Sequence, residues 1–220
     1  MSDDQIADAL LPAADSIRAA FVSKNAARDS AISRSRELIR HCAEAIRATH
    51  RREWDAAEAK LTTARTAADE LRGVIADYPD LLYSGYTQDA LKEVVEAFAT
   101  YAIIRDRALP SPETLAVDGS TYLNGLAEAA TELRRFILDI LRREDGDARE
   151  AERLLDWMDA IYDQLVTFDF PDAITGDLRR RTDVVRGVLE RTRGDLTTTF
   201  QQQRLQAALK EFEHRSGLTD

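Results

Sequence analysis

Residues that interrupt helices are rare in this chain and stand at only a few places. Its 220 residues include nine Gly and five Pro. Beyond residue 50, the prolines occur at Pro79, at Pro110 with Pro112, and at Pro171. Because the residue before a proline avoids the helical region, each of these places is predicted to interrupt or end a helix. The stretches between them are the units from which the fold must be built.

Helical periodicity runs through these stretches. We predict a break near residues 25–30 of the first helix, and Asp118 or Ser120 can cap the fourth. Long helices joined by short turns favour an antiparallel bundle. The predicted helices cover about 5–50, 53–77, 88–108, 120–143, 148–167 and 175–213. The predicted connections are LLYSGYT, PSPETLAVDGS, REDGD and FDFPD.

The composition agrees with a helical fold. Ala, Leu, Glu and Arg dominate, whereas the alternation of Val, Ile and Thr typical of strands is nearly absent. We therefore predict an all-α protein, an antiparallel bundle of about six to seven helices that forms one domain over residues 1–220. No stretch approaches the ~20 apolar residues of a membrane span. The acidic N-terminus MSDDQIADALLPAAD lacks the features of a signal peptide, which predicts a cytoplasmic protein.

The charge composition bears on which partners can be excluded. The net charge is -10, with 26 Arg against 4 Lys and 24 Asp against 16 Glu. Abundant Asp, with Arg almost replacing Lys, resembles the proteins of salt-accumulating archaea. At molar salt the Debye length falls to roughly 3 Å, so the total charge says little about partners. An acidic total therefore does not exclude nucleic acid.

Two kinds of metal centre are excluded by residue type. Cys42 is the only cysteine, which rules out an intramolecular disulfide and a cysteine-based zinc site. A di-iron bundle needs Glu-x-x-His on two helices, and this spacing occurs only at Glu211 and His214. His41 and His50 have no such partner. We expect none of the three histidines to bind a metal.

Two predicted helices each carry a pair of glutamates one turn apart. They are Glu93 with Glu96, and Glu128 with Glu132. Residues three or four apart share a helix face, so each pair projects two carboxylates in one direction. If the two faces meet, the carboxylates can hold a hard cation such as Mg²⁺. If they do not, both are ordinary solvated faces, and spacing alone leaves both interpretations open.

Basic residues concentrate in two segments. Residues 24–52 contain eight bases and three acids, a local balance of +5 in an acidic chain. Arg36, Arg40, Arg47 and Arg51 fall on one side of a helical wheel. The second cluster is LRRRTDVVRGVLERTR at residues 178–193. Arg clusters are typical of phosphate contacts, and salt bridging within an acidic protein explains them equally well.

Taken in order, several segments resemble the translin family across roughly residues 15–205. The segments are RDSAISRSRELIRHCAEAIRATHRRE, YSGYTQDALKEVVEAFATYAII, YLNGLAEAATELRRFILDIL and AIYDQLVTFDFPDAITGDLRRRTDVVRGVLERTRGDL. The resemblance implies an all-α protomer that assembles into a hollow octamer and binds single-stranded RNA or DNA inside. One kind of subunit in the family only binds. The other, similar to translin-associated factor X (TRAX), is a Mg²⁺-dependent endoribonuclease.

The acidic pattern of the catalytic kind is present with one departure. Its E-x-x-E corresponds to Glu93 and Glu96, and its D-x-x-x-E corresponds to Glu128 and Glu132 in GLAEAATEL. Glu128 stands where the family usually has Asp. By resemblance, Glu96 and Glu132 are the expected metal ligands, whereas Glu93 and Glu128 orient or deprotonate the attacking water. The resemblance more loosely implies phosphate contacts at Arg28, Arg34, Arg36, Arg40 and Arg51.

The first hypothesis is therefore a homo-oligomeric endoribonuclease that cleaves single-stranded RNA with Mg²⁺, or with Mn²⁺ as the second candidate metal. The second is a non-catalytic translin-like module that binds single-stranded RNA or DNA. The third is a structural bundle that mediates protein assembly. All three leave open whether a translin-like paralogue joins the assembly.

Overall fold

The computed structural model describes residues 3–143 and 146–216, and within those ranges every regular element is a helix. The all-α prediction is confirmed. Three one-turn helices lie in the connections: α3 (Pro79–Leu82), α5 (Pro112–Leu115) and α8 (Asp172–Thr175). The six long helices are α1 (Asp3–His50), α2 (Trp54–Val74), α4 (Gly85–Ile104), α6 (Gly119–Leu141), α7 (Ala148–Leu165) and α9 (Leu178–Ser216).

The predicted break near residues 25–30 is wrong, because α1 continues through it. Its polar residues are satisfied without leaving the helix: Asn25 Nδ2 donates to Asp29 Oδ2 one turn later at 3.1 Å. Ala27 and Ala31 meanwhile pack against the core. Polar residues on the outer face and small apolar ones on the inner face suit a continuous amphipathic helix.

Two predicted loops contain more helix than expected. α4 begins at Gly85, within the predicted loop LLYSGYT, and α3 occupies the start of that loop. α5 lies within PSPETLAVDGS, where the Ser111 side chain accepts from the Thr114 amide. The predicted cap of α6 is Asp118, whose Oδ1 accepts from the Thr121 amide at 2.7 Å. The turn REDGD includes residues 144 and 145, which lie outside the described residues.

The bundle has two apolar clusters, and α4 and α6 contribute residues to both clusters. α1 packs on α2 and α4 around Leu38, Leu71 and Val95. α6 packs on α7 and α9 around Phe136 and Met158. α4 and α6 also pack directly on each other. The two glutamate-bearing helices are therefore neighbours at the centre of the fold.

A glycine sets how closely these central helices approach. A Cβ atom built on Gly125 of α6 would lie 2.5 Å from Val95 Cβ and 2.8 Å from the Lys92 carbonyl oxygen of α4. No side chain fits in this space, so only glycine allows the crossing. Gly125 lies one turn before Glu128, and Val95 immediately precedes Glu96. The tightest approach of α4 and α6 thus lies beside both acidic segments.

The first half of α1 extends past the packed bundle. Residues 9–22 are all exposed, including Leu10, Ile17 and Phe21. Toward the other end of the chain, Leu205 and Phe212 of α9 are also exposed. In the part of the chain that the structure describes, no helix has both the length and the apolar character to cross a bilayer.

Candidate metal centre

Three of the four predicted glutamates converge where α4 meets α6. Glu93, Glu96 and Glu128 each offer a carboxylate oxygen, and these oxygens all lie within 4.8 Å of one another. Glu96 is 9% exposed, and the other two are half-buried. The two helix faces therefore meet, and the interpretation of both pairs as solvated faces does not hold for these three residues.

The cluster concentrates negative charge that the protein only partly compensates. Burial, followed by the negative charges of Glu93, Glu128 and Glu132, raises the pKa of Glu96 to about 9. Burial also raises the pKa of Glu93, and the neighbouring Lys92 ammonium opposes that rise. Without a divalent cation, the site is therefore expected to retain a proton at neutral pH.

Glu128 is bound by two cations of the protein itself. Its Oε1 accepts from Lys92 Nζ at 2.6 Å and from Arg181 Nη1 of α9. Its Oε2 is buried and has no hydrogen-bond partner among the described residues. Lys92 Nζ also lies 3.5 Å from Glu93 Oε1, so this ammonium bridges two carboxylates of the cluster.

Glu132 has a different environment, although it lies one turn from Glu128. Its Oε2 is 2.6 Å from His50 Nε2, at the last residue of α1. This hydrogen bond is the main reason why the pKa of Glu132 is lowered. The His50 ring is buried and lies 5.9 Å from the Phe136 ring, centroid to centroid. His50 thus fixes the Glu132 side chain, whereas the negative charge of Glu132 still reaches Glu96.

Cys42 borders the same region without offering a ligand. Burial, together with the charges of Glu93 and Glu96, raises the pKa of its thiol. Thiolate is the form that binds metals. The thiol stays protonated at neutral pH, and the available donors are carboxylate oxygens.

The donor set fits a hard divalent cation. Mg²⁺ and Mn²⁺ prefer oxygen ligands, and the cluster offers one carboxylate oxygen from each of three glutamates, all within 4.8 Å of one another. The unpartnered Oε2 of Glu128 and the raised pKa of Glu96 are what a carboxylate site shows before a cation compensates it. Glu93, Glu96 and Glu128 are the residues that would hold the ion.

A cavity of about 690 Å³ adjoins the centre. It is lined by α4, α6, α8 and the start of α9, and Lys92, Asn124 and Arg181 are among its walls. Asn124 Nδ2 donates to the Thr175 carbonyl at 2.8 Å, which ties α6 to α8. Since Lys92 and Arg181 both contact Glu128, the cavity lies next to the carboxylate cluster.

The five arginines implied as phosphate contacts lie along α1 and its C-terminal turn. Arg28, Arg36, Arg40 and Arg51 are exposed, and Arg34 is half-buried with its Nη1 2.5 Å from Glu70 Oε2. Three of the exposed ones pair with neighbours in sequence: Arg28 with Asp29, Arg40 with Glu37, and Arg51 with Glu53. No ion pair of Arg36 occurs among residues 3–143 and 146–216. The cations that contact the carboxylates are instead Lys92 and Arg181.

The chain was compared with known proteins, and no family model matches it. It is 32% identical over 195 residues to an uncharacterized protein of the archaeon Methanocaldococcus jannaschii, covering 88% of this chain and 85% of that one. The structure of AfC3PO in complex with duplex RNA is similar at 33% identity, with a TM-score of 0.79, over 87% of this chain and 97% of that chain. AfC3PO is a C3PO of the translin/TRAX family.

The chain belongs to the translin/TRAX family. The structure of apo-NeC3PO, at 22% identity and a TM-score of 0.76, shares the fold. The predicted translin-like architecture is thereby confirmed. The Glu128 carboxylate contacts Lys92 and Arg181 and lies within 4.8 Å of the carboxylates of Glu93 and Glu96.

Sequence reasoning missed two partners of the site. The His50–Glu132 hydrogen bond joins residues 82 positions apart, and no spacing rule signals such a pair. Lys92 directly precedes Glu93 and had no predicted role, yet it is only 9% exposed. The available signal was a lysine beside the two predicted site glutamates in LKEVVEAFA, a stretch whose other residues are apolar.

Proposed function

We propose that this translin-family protein binds nucleic acid and cleaves single-stranded RNA as a Mg²⁺-dependent endoribonuclease. The observation that carries the proposal is the convergence of Glu93, Glu96 and Glu128, next to a cavity that is lined by the Glu128 partners Lys92 and Arg181. The similarity to AfC3PO, which was determined with duplex RNA, supports nucleic acid as the ligand. Mn²⁺ is the second candidate metal.

The geometry favours a specific division of roles. Glu93, Glu96 and Glu128 would hold the cation, which when bound supplies Lewis-acid stabilisation of negative charge on the scissile phosphate. Glu132 remains ionised because His50 hydrogen-bonds to it, so it can accept a proton from the attacking water. The resemblance named Glu96 and Glu132 as the ligands, and that pairing remains a second arrangement to be tested.

A non-catalytic binding module is the alternative, and one observation favours it. Lys92 and Arg181 already neutralise Glu128, as expected for a site that has exchanged its metal for internal cations. On this alternative the protein would bind single strands and leave them intact.

The test uses a fluorogenic single-stranded RNA and a duplex of the same sequence, at molar KCl to match the acidic composition. Cleavage of the single strand is expected with Mg²⁺ or Mn²⁺. It should be lost with EDTA and with Glu96→Gln, and kept with Glu190→Gln, whose carboxylate forms an exposed pair with Arg186. Binding without cleavage across several Mg²⁺ and Mn²⁺ concentrations would favour the binding module. Absence of any binding would favour a purely structural bundle.

We also propose that the protein acts as a homo-oligomer of eight subunits, in line with the family resemblance. Light scattering in the same buffer should then give about eight times the 24.7 kDa of one chain. Co-purification of a translin-like paralogue would indicate a mixed assembly instead. The cytoplasmic location inferred from the sequence stays a prediction.

A further inference from the structure

Lys92 contacts two of the carboxylates that would bind a metal ion. Its Nζ is 2.6 Å from Glu128 Oε1 and 3.5 Å from Glu93 Oε1, two of the three carboxylates that would share a divalent cation. A carboxylate oxygen that coordinates a metal at about 2.1 Å has little room for an ammonium at hydrogen-bond distance on the same side. The ammonium of Lys92 and the metal therefore compete for the same carboxylates. Even a cation bound at the unpartnered Oε2 of Glu128 would place a second positive charge on the carboxylate that Lys92 binds through Oε1.

The side chain of Lys92 is largely enclosed, and these two carboxylates balance its charge. Lys92 is 9% exposed, and its described ion pairs are those with Glu93 and Glu128. A buried ammonium needs an anion beside it, because losing that anion would leave an uncompensated charge in a poorly solvated place. If a metal takes Glu128, Lys92 needs another anion within reach.

The adjoining cavity provides a route for that anion. Lys92 and Arg181 both line it, and both bind Glu128. Asp89, Asp118 and Asp172 also line the cavity, so its walls do not attract phosphate as a whole. The attraction is confined to the wall formed by Lys92 and Arg181, where a phosphodiester would meet two cations next to Glu128.

We propose that Lys92 is a displaceable counter-ion that becomes a substrate-binding residue. It neutralises Glu128 while the carboxylates hold no metal, and it transfers to a nucleic-acid phosphate when a divalent cation takes Glu93, Glu96 and Glu128. Metal binding and phosphate binding then strengthen each other. The metal releases Lys92 from Glu128 so that it can contact the phosphate, and the phosphate replaces the anion that Lys92 loses. This inference rests on the proposed function and adds to it a residue that contacts the phosphate.

The exchange predicts opposite effects of one substitution. Lys92→Met removes the competing charge and keeps the apolar part of the side chain. The Mn²⁺ affinity of the variant should therefore be higher than that of the wild type by a factor of about ten or more. The same variant lacks the phosphate contact, so with saturating Mn²⁺ it should bind a short single-stranded 2′-O-methyl RNA about tenfold more weakly. A variant with merely damaged folding would weaken both.

Mn²⁺ affinity is measured by electron paramagnetic resonance of the free ion, and RNA affinity by fluorescence anisotropy, both at molar KCl. Lys60→Met is the matched control, because Lys60 Nζ forms a 2.6 Å ion pair with Glu44 outside the carboxylate cluster. Lys92→Gln provides a second variant, and circular dichroism verifies the helix content of each.

The outcomes separate this inference from the proposed function. Tighter Mn²⁺ binding together with weaker RNA binding in the Lys92 variants supports the exchange. Unchanged or weaker Mn²⁺ binding, or unchanged RNA binding, overturns it. Glu96→Gln tests the metal centre independently. If it leaves Mn²⁺ binding unaltered, the metal centre fails and the exchange fails with it; if it abolishes Mn²⁺ binding while Lys92→Met has no effect, only the exchange fails.

Discussion

The buried carboxyl group of Glu96 should make the metal-free protein less stable as the pH rises. Its pKa is raised from 4.5 to about 9 by burial and by the charges of its carboxylate neighbours. Below about pH 4.5 the group is protonated in both the folded and the unfolded states, so it contributes no difference. Between pH 4.5 and 9 the unfolded chain ionises it while the folded protein keeps it protonated, so the free energy of unfolding falls with pH.

Glu96→Gln removes this dependence, because glutamine is a neutral group of nearly the same shape. Each pH unit is worth about 1.36 kcal/mol, and pH 7 lies about 2.5 units above the ordinary value, which gives an upper limit of about 3 kcal/mol. Water entering the cluster and small side-chain movements lower this figure, so we expect the variant to be more stable by about 1–3 kcal/mol at pH 7. The gain should vanish near pH 4.5.

The assay is urea unfolding followed by circular dichroism, with EDTA, between pH 4.5 and 8.5 at constant high salt. Glu190→Gln, at an exposed carboxylate, should stay close to the wild type throughout. Glu132→Gln should show the opposite sign, because the pKa of Glu132 is lowered and its stabilisation is present above pH 4.5 and lost as the pH falls. Adding Mn²⁺ should stabilise the wild type far more than Glu96→Gln.

Two results would refute this reasoning. In the first, metal-free Glu96→Gln is no more stable than the wild type at pH 8, which would mean that the cluster carries no uncompensated charge. In the second, the stability difference is the same at pH 4.5 and pH 8. The gain would then come from altered packing and not from ionisation.

Two further predictions concern the supports of the site. Gly125→Ala places a Cβ atom 2.5 Å from Val95 Cβ. The substitution should lower the free energy of unfolding by about 1–3 kcal/mol in denaturant and weaken Mn²⁺ binding. Gly119→Ala is the control that should have neither effect, because its Cβ would meet open space. His50→Leu removes the donor to Glu132 and should lower kcat for RNA cleavage about tenfold or more with little change in Mn²⁺ affinity. His50→Gln, whose amide can donate from nearly the same position, should restore part of kcat, and equal losses in both variants would contradict a positioning role.

The helices were predictable because local rules govern them. Pro79 and Pro112 interrupt the pattern at places visible in the sequence, and Asp118 acts as the cap that its position predicted. The predictions of helix bounds were wrong where local sequence rules did not reflect the tertiary environment. Polar residues around Asn25 suggested a break, but residues on a solvent-facing side need no interruption. One-turn helices such as α8 lack the length over which periodicity can be recognised.

The site was predictable only in part, because its geometry depends on tertiary contacts. The i, i+3 spacing placed Glu93 and Glu96 on one face, but their approach to Glu128 depends on the close crossing at Gly125. The family resemblance pointed to α4 and α6, the two helices whose glutamates converge. It did not reveal that Lys92 enters the cluster, because the side-chain direction of a single lysine follows from the packing around it.

The exposed first half of α1 and the packed bundle should unfold with different cooperativity. A 48-residue helix is about 72 Å long, whereas the residues that pack on the bundle begin near Ser23, whose hydroxyl lies 2.7 Å from that of Tyr78. Residues 9–22 are exposed, and besides helix propensity they have an exposed ion pair between Arg18 and Asp15. Such a segment is held weakly, because isolated helical segments are marginal in water and exposed ion pairs add little. In a dilute protomer, ellipticity from this segment should therefore decline gradually on warming, before the sharp transition of the bundle. The carboxylate centre would remain assembled during that first phase. The earliest loss of helix signal would therefore report the unfolding of the N-terminal segment of α1 and not inactivation.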